Sequence, residues 1–346
     1  MDAVAFEPQF VDHLAPVWHA LAPAVRGRFI TASDLVGRAQ SLGIEADGRS
    51  VADARFGPPP AAQPGTGPAA LVSSIGDMKI GRRYGYRRFV RLEHGYGQAY
   101  PYSRVPNHPS YPGGDDNEDV VLFLPPNEYA AARWRARYPA TPVVVVGCPK
   151  LDTLPGREGD GPFTVAITFH WDLNLCPETH PAGEFIGALG ALRREFTLIG
   201  TQHPRWADTG DHLAGYYDRV GIEMVRSFDE VCRRADLLVF DNTSAGYEFA
   251  STGRPVVVMN SRTYRRDVAH GLRFWSAAGV GPNADADASP ATTARNLIAA
   301  IERAISGLPG DFEARQQALS EVYTLRTQAA RRAANVIEGW ASEAAA

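Results

Sequence analysis

The sequence predicts an α/β protein built from two doubly wound, Rossmann-like domains that face a central cleft. Three observations predict this fold. Apolar runs alternate with helical patterns along both halves, polar or histidine residues follow directly after several of these runs, and a segment with almost no apolar side chains divides the halves. Continuous apolar runs are typical of strands buried on both faces in a parallel sheet. Such sheets bind ligands at the carboxyl ends of their strands, so the polar residues there are site candidates.

The composition is that of a soluble globular protein. The 346 residues are 45% hydrophobic and 21% charged, and 35 Lys and Arg stand against 39 Asp and Glu, for a net charge of −4. Without a global basic field, nucleic acid is not an expected partner. No apolar run reaches the length of a membrane span, and the sequence starts without a basic segment followed by a long apolar run. We therefore expect a cytoplasmic protein.

The cysteine and carboxylate patterns argue against metal chemistry. Cys148, Cys176 and Cys232 are odd in number and widely spaced. Neither a disulfide framework nor a zinc site has this spacing, so we expect buried free thiols. No acidic pair has a convincing metal-ligand spacing, and we expect neither a metal nor a resident cofactor.

In the first half, strand and helix patterns alternate. A short strand at 3–6 precedes an amphipathic helix at 9–21, whose apolar face carries Phe10, Leu14, Val17, Trp18 and Leu21. The two histidines of this helix, His13 and His19, are predicted to lie at the surface or its boundary. Further strands are predicted at 27–32, 69–74, 89–92, 119–124 and 142–147, helices at 34–43 and 127–138, and a loop rich in Pro and Gly at 57–67.

His94 follows the predicted strand at 89–92 and begins a His-Gly-x-Gly element. Gly95 and Gly97 allow the backbone to approach a substrate closely, and histidine is the natural general base near neutral pH. The alternative is a histidine that is simply hydrogen-bonded to a loop.

The second half repeats the alternation after residues 155–162, where we place the interdomain linker. A strand at 163–169 leads to His170, and a strand at 197–202 leads to His203, Pro204 and Arg205. Helices are predicted at 182–196, 213–221 and 291–305, and residues 311–340 form one or two more.

Residues 237–259 predict strand, turn, helix and strand in succession. The first apolar run ends at Asp241, and Thr243 and Ser244 stand where the helix begins. Their hydroxyls can cap the helix, and its free N–H groups and positive dipole end favour an anion such as phosphate. An ordinary helix cap is the alternative, since such residues cap many helices that bind nothing.

The strand ends bring together a set of groups that suits a transferase with a phosphate leaving group. The set contains His94 from the first half, and His170, His203 and the Thr243–Ser244 turn from the second. A histidine would take the proton of an acceptor hydroxyl, and hydroxyl and imidazole donors would stabilise the charge on the departing phosphate. Asp241 is also near this point, although an Asp at a strand end more often forms a turn.

The order of these motifs resembles the CDP-glycerol glycerophosphotransferase family of teichoic-acid primases and polymerases. The residues that carry the resemblance are the His-Gly-x-Gly at His94, the Gly-Cys-Pro-Lys-Leu-Asp at 147–152, the His-Pro at 203–204, and the Asp-Asn-Thr-Ser to Gly-Arg-Pro-Val stretch at 241–256. The resemblance implies a GT-B fold. It also implies a CDP-activated polyol phosphate donor and a hydroxyl acceptor that is lipid- or polymer-linked. The chain is short and mildly acidic and lacks the basic extension of a teichoic-acid polymerase, so we expect at most weak peripheral association with a membrane.

The resemblance assigns roles to individual residues. His94 matches the family's catalytic base, His203 a donor phosphate contact, and Thr243 and Ser244 the ligands of the donor phosphates. The domains would be 1–154 on the acceptor side, 163–309 on the nucleotide side, and a carboxyl-terminal helical segment at 310–346 that packs back toward the first. Lys150 stands where the family commonly has Arg, and Gln98 where it often has a basic residue.

Two other functions remain open on the sequence. Glu248 and the Gly-Arg-Pro turn also resemble nucleotide-sugar glycosyltransferases and UDP-N-acetylglucosamine 2-epimerases, in which a Glu holds the nucleotide ribose. The Arg-rich turn after the second strand contains Arg262, Arg265 and Arg266. It suits a donor diphosphate, with Arg265 as the expected ligand, and a solvated loop is the alternative. A catalytically silent GT-B module is the third hypothesis, because the Tyr-rich loop after His94 also suits a contact surface for a nucleotide or a protein.

Overall fold

The computed structural model describes residues 1–50, 69–94, 117–170, 183–203, 213–241, 243–262, 280–307 and 327–344, with residues 310, 313, 315, 317 and 319. The chain divides into two compact units. Unit 1 comprises Met1–Thr153 and Val322–Ala346, and unit 2 comprises Leu154–Glu321. The segment where we placed the linker packs on unit 2, because Arg157 pairs with Asp236 at 3.0 Å.

Unit 1 contains a six-stranded parallel sheet in the order β3-β2-β1-β4-β5-β6. Its strands are β1 (Asp2–Ala5), β2 (Phe29–Ala32), β3 (Ala46–Arg49), β4 (Ala70–Val72), β5 (Phe89–Leu92) and β6 (Val120–Leu124). All residues of β1, β2, β4 and β5 are buried, as expected for strands covered on both faces. This strand order is that of the Rossmann fold, and the order reverses direction between β1 and β4.

Among the described residues of unit 1, four helices follow these strands: α1 (Pro8–Ala20), α2 (Val36–Ser41), α3 (Ile75–Arg83) and α4 (Glu128–Arg137). Local capping explains where two of them begin. Ser74 accepts a hydrogen bond from the backbone of Asp77 at 3.0 Å, and Asn127 accepts one from Ala130 at 2.8 Å. The predicted apolar face of α1 is confirmed, but His13 is buried with it and the surface position predicted for His13 is wrong.

The strand predicted at 142–147 is also wrong in part. This segment lies beside β6 and forms a single parallel bridge between Phe123 and Val143, with Val144 N–H donating to the Phe123 carbonyl at 3.0 Å. Val144 remains 37% exposed. The segment adds to the edge of the sheet and is not a buried strand, because nothing in the described chain pairs with its outer side.

Unit 2 contains a second six-stranded parallel sheet, in the order β12-β11-β10-β7-β8-β9. Its strands are β7 (Thr164–Phe169), β8 (Thr197–Gln202), β9 (Glu223–Met224), β10 (Leu237–Phe240), β11 (Val256–Asn260) and β12 (Asn283–Asp285). Read from β9, the order repeats that of unit 1, and the reversal lies between β7 and β10. The helices are α5 (Leu189–Glu195), α6 (Ala214–Val220), α7 (Phe228–Arg234), α8 (Ser244–Ala250) and α9 (Pro290–Ser306).

The last helix, α10 (Ala329–Glu343), packs against α1 in unit 1. Asp152, the Asp of the Gly-Cys-Pro-Lys-Leu-Asp motif, accepts a hydrogen bond from the Ala330 N–H at 2.8 Å. Glu338 accepts one from the Ala22 N–H at 2.6 Å. The motif therefore has a structural role, because it holds the beginning of this helix. No helix in the described part of the chain is both long and apolar enough to cross a bilayer.

Candidate functional site

In unit 2, two site candidates meet at the strand-order reversal. His170 directly follows β7 and Asp241 directly follows β10, and these strands are hydrogen-bonded neighbours. Both carboxylate oxygens of Asp241 accept from the His170 backbone N–H at 2.8 Å. Both residues are buried. Asp241 thus fixes the two strand ends relative to each other at the point where open α/β sheets bind ligands.

His203 lies beside this point on the next strand. Phe169 of β7 pairs with Gln202 of β8, so His170 and His203 directly follow a paired position on neighbouring strands. Neighbouring strands are about 4.8 Å apart. His203 is partly exposed whereas His170 is buried. Of the two imidazoles, His203 is therefore the more accessible at this edge of the sheet.

The turn between β10 and α8 presents two partly exposed hydroxyls. Thr243 is the N-cap of α8 and its hydroxyl accepts from the Ala245 N–H at 3.5 Å. The Ser244 hydroxyl lies 3.4 Å from Oε1 of Glu248, one turn along the helix. Glu248 is only 2% exposed, so it is not an ordinary solvated helical carboxylate. The cap and the strand, turn, helix and strand sequence at 237–259 are confirmed.

Glycine at position 246 allows α8 to lie directly on β10. A Cβ at Gly246 would stand 2.2 Å from the Phe240 ring, well inside van der Waals contact. The turn that carries Thr243 and Ser244 is therefore held in place by close packing. The short Ser-Ala-Gly start of the helix is the sequence feature that permits this.

A second polar cluster follows β11. Glu184 accepts hydrogen bonds from the Ser261 hydroxyl at 2.9 Å and from the Arg262 guanidinium at 2.6 and 2.8 Å. Arg262, considered above as part of a phosphate-binding turn, is thus held by a carboxylate that the sequence gave no reason to single out. The fold thus brings Glu184 and Ser261 together, although neither belongs to a motif in the sequence.

The Gly-Arg-Pro turn before β11 has a structural role. Gly253 has a φ of +86°, which glycine adopts without strain. The Arg254 guanidinium donates to the carbonyls of Cys232 and Ala235 at the end of α7 and lies over the Phe249 ring, 4.3 Å from its centroid. The Arg254 guanidinium therefore caps α7 and packs on α8, and these contacts stabilise the fold.

In unit 1, His94 lies just beyond β5 and is exposed. Its Nδ1 is 2.9 Å from the carbonyl of Ser73, which follows β4. A carbonyl only accepts, so Nδ1 carries the proton and the neutral ring has its lone pair on Nε2. The ring also packs edge-on against Phe10, with 4.6 Å between centroids. The imidazole is therefore held in one orientation, as a general base must be.

His13, on α1, lies close to His94 although the sequence prediction placed it at the surface. It is 3% exposed, and its ring centroid is 6.2 Å from that of His94. Burial lowers the pKa of His13 well below its ordinary value, and the charge of Lys150, with that of His94 when its ring is protonated, lowers this pKa further. The helical periodicity indicates this burial, because position 13 lies three residues after Phe10 and four before Val17 on the apolar face.

Two buried ionisable residues, Arg91 and Glu93, lie on the face of β5 opposite to His94. Arg91 is 6% exposed and Glu93 is 4% exposed. Trp134 Nε1–H donates to Glu93 at 2.9 Å, and the Arg91 guanidinium lies over the Trp134 ring at 4.9 Å. Burial raises the pKa of Glu93 to about 7, although the Trp134 hydrogen bond and the charge of Arg91 oppose this. The contacts of Arg91 and Glu93 with Trp134 hold the end of β5, which His94 follows.

Three of the predicted site residues, Gly95, Arg205 and Arg265, lie outside the described residues, as does the Tyr-rich loop. Cys148 and Cys232 are buried free thiols, as predicted. Among the residues that the structure describes, no group of three or more His, Cys, Asp or Glu side chains is arranged as a metal site.

No protein-family model and no curated protein matches this chain. Solved structures do match it over nearly its full length. MnaA of S. aureus with UDP has a TM-score of 0.67 at 14% identity, with 99% of this chain and 96% of that chain covered. The UDP-GlcNAc 2-epimerase from Neisseria meningitidis bound to UDP-GlcNAc has a TM-score of 0.66 at 14% identity, with 99% of each chain covered.

A third structure belongs to a different enzyme. A variant of the wall teichoic acid polymerase TagF, soaked with CDPG, has a TM-score of 0.63 at 11% identity, with 99% of this chain and 88% of that chain covered. At such identities the likeness shows the fold alone. Two parallel six-stranded sheets with the same Rossmann strand order, together with these matches, show that the chain has the GT-B fold.

Proposed function

We propose that this protein is a transferase that moves a polyol phosphate, with glycerol phosphate as the first candidate, from a CDP-activated donor to a hydroxyl acceptor. The observation that carries the proposal is the anchored imidazole of His94. The Nδ1–H hydrogen bond to Ser73 leaves Nε2 as the basic nitrogen of a ring that Phe10 also holds. The fold likeness to a polymerase soaked with CDPG supports the choice of donor.

In the proposed reaction, His94 takes the proton of the acceptor hydroxyl. The acceptor oxygen then forms a bond to the phosphorus of the polyol phosphate, the phosphoanhydride bond breaks, and CMP leaves with the electron pair. Unit 2 holds the donor: Thr243 and Ser244 bind the donor phosphates, and His203 donates to the charge that develops on the leaving phosphate. Glu248, buried one helical turn from Ser244, accepts from the ribose hydroxyls.

The acceptor in this proposal is a hydroxyl group that is lipid- or polymer-linked, and the donor nucleotide is a substrate and not a resident cofactor. Transfer to a hydroxyl needs one oriented base, which His94 provides. Weak association with a membrane surface would follow from a lipid-linked acceptor.

A second candidate is a nucleotide-sugar enzyme of the epimerase or glycosyltransferase type. The buried position of Glu248 and the likeness to a UDP-GlcNAc 2-epimerase favour it. The products distinguish the two candidates. The transferase releases CMP from CDP-glycerol, whereas an epimerase leaves the nucleotide sugar intact and inverts one carbon. A silent binding module would bind nucleotide and convert neither substrate.

The substitution His94→Ala tests the assignment of the base. Loss of a general base slows the reaction by about 10²- to 10⁴-fold, so CMP release from CDP-glycerol, followed by ³¹P NMR, should nearly stop. Binding of CDP, measured by calorimetry, should change little because the donor contacts lie in unit 2. The matched control is His19→Ala, on an exposed histidine of the same unit. Turnover that is unchanged in His94→Ala would exclude His94 as the base.

A further inference from the structure

We propose that His13 and Lys150, which lie beside His94, bind a phosphate group of a polyol phosphate at the strand ends of unit 1. This inference rests on the proposed function and names the chemistry of the ligand that unit 1 receives. It assigns a ligand-binding role to His13, which the sequence prediction placed at the surface or its boundary.

The first argument is geometric. His13 extends from α1 into the core below His94, and the two imidazole centroids are 6.2 Å apart. Phe10 packs against His94 on the same side. Lys150 belongs to the turn Pro149–Thr153, which packs on α1. The two imidazoles thus lie together beside the reversal of strand order between β1 and β4, and Lys150 is near enough for its charge to act on His13.

The second argument comes from the hydrogen bonds of His13. Its Nδ1 is inaccessible to solvent and has no hydrogen-bond partner among the described residues. An unsatisfied buried polar atom costs about 1–3 kcal/mol, and native proteins retain few of them. A leucine at this position of the apolar face would avoid that cost. The cost is recovered when a ligand oxygen accepts a hydrogen bond from the imidazole.

The third argument is the sign of the charges. The positive charge of Lys150 acts on His13 and opposes its protonation, and so does His94 whenever its ring is protonated. A phosphate reverses this effect, because its negative charge favours the protonated imidazole and its oxygens accept from several donors at once. His94 is exposed whereas His13 is buried, so a ligand approaches this group from the His94 side.

Two sources can supply such a phosphate: the acceptor, if it is itself a polyol phosphate, or the group being transferred. Both present the same chemistry to unit 1. Kinetics with each substrate varied in turn separate them. If the phosphate belongs to the acceptor, loss of His13 raises the KM for the acceptor, and if it belongs to the transferred group, the KM for CDP-glycerol rises instead.

The test uses the full chain with histidine labelled for NMR and glycerol 3-phosphate as the probe. Saturable shifts of the His13 and His94 ring resonances are expected. His13→Gln should weaken binding of the probe by about tenfold, the loss of one hydrogen bond to a charged group. The matched control His19→Gln, on the exposed face of the same helix, should bind like the wild type. Lys150→Gln should also weaken binding, which gives a second variant that leaves the core unchanged.

The inference is overturned if the His13 resonance does not respond to glycerol 3-phosphate, or if His13→Gln and Lys150→Gln bind it as tightly as the wild type. Calorimetry with CDP separates this result from a failure of the proposed function. CDP that binds while glycerol 3-phosphate does not would overturn the phosphate site alone. A protein that binds no nucleotide would overturn the donor assignment, whatever His13 does.

Discussion

At the residue scale, the chemistry around His94 comes from the alternation of side chains along β5. Arg91 and Glu93 face α4 and its Trp134, whereas His94 faces Phe10 and His13 of α1. The position of His94 was predictable because it directly follows an apolar run. Its hydrogen bond to the Ser73 carbonyl was not, because the pairing of β4 with β5 is a long-range contact that no local pattern contains.

Glu93 makes the stability of the protein depend on pH. Its pKa rises from 4.5 to about 7 on folding, so the folded state holds the proton more tightly than the unfolded state. The resulting stability is complete below the unfolded pKa and is lost as pH rises through 7. The substitution Glu93→Gln keeps an acceptor for Trp134 and removes the titration. We expect its free energy of unfolding, relative to the wild type, to rise by up to about 3 kcal/mol between pH 4 and pH 8.

Urea denaturation at the two pH values measures this difference. Glu128→Gln serves as the matched control, because the Glu128 side chain is 61% exposed. The control should show little change in relative stability between the two pH values. A relative stability of Glu93→Gln that does not change with pH would contradict the buried, proton-binding carboxylate.

At the element scale, the turn between β10 and α8 depends on glycine at 246. Gly246→Ala places a methyl group 2.2 Å from the Phe240 ring, so either the ring or the helix must move. Overpacking of this kind costs about 1–3 kcal/mol. We expect a lower melting temperature and weaker CDP binding, because the helix carries Thr243, Ser244 and Glu248.

The matched control is Gly339→Ala in α10, where nothing lies within 4 Å of the new methyl group. Alanine is favoured over glycine in a helix interior by up to about 1 kcal/mol, so this variant should be as stable as the wild type or more stable. Thermal denaturation of both variants, with CDP titrations, provides the measurement. Equal stability and CDP affinity in Gly246→Ala would show that the close packing of α8 does not position the turn.

Two element-scale differences between sequence and structure have physical causes. The apolar run at 142–147 has the composition of a buried strand, but the described sheet ends beside it and only one parallel bridge forms. The Gly-Arg-Pro turn looked like part of a nucleotide site, yet Arg254 caps α7 across a long-range contact. In both segments, the composition indicates a local tendency, and the long-range contacts determine the structure that forms.

At the scale of the whole molecule, the fold class followed from sequence because both halves alternate apolar runs with helical patterns. The order of the strands did not, since it depends on pairings between distant residues such as Leu237 with Val165. The structure shows the order twice, once in each unit, with polar residues at each reversal. His170 and Asp241 follow the two strands at the reversal in unit 2, whereas His94 follows β5, the neighbour of β4 in unit 1.

The central claim, that unit 2 binds a CDP-activated donor, is tested most directly by thermal denaturation with a panel of CDP-glycerol, CDP-ribitol, UDP-GlcNAc and GDP-sugars. A ligand at about 100 times its Kd stabilises the native state by about 2.7 kcal/mol, which raises the melting temperature. We predict the largest increase with the CDP-linked donors and a smaller one in Ser244→Ala. No increase with any nucleotide, or an increase with UDP-GlcNAc alone, would contradict the account.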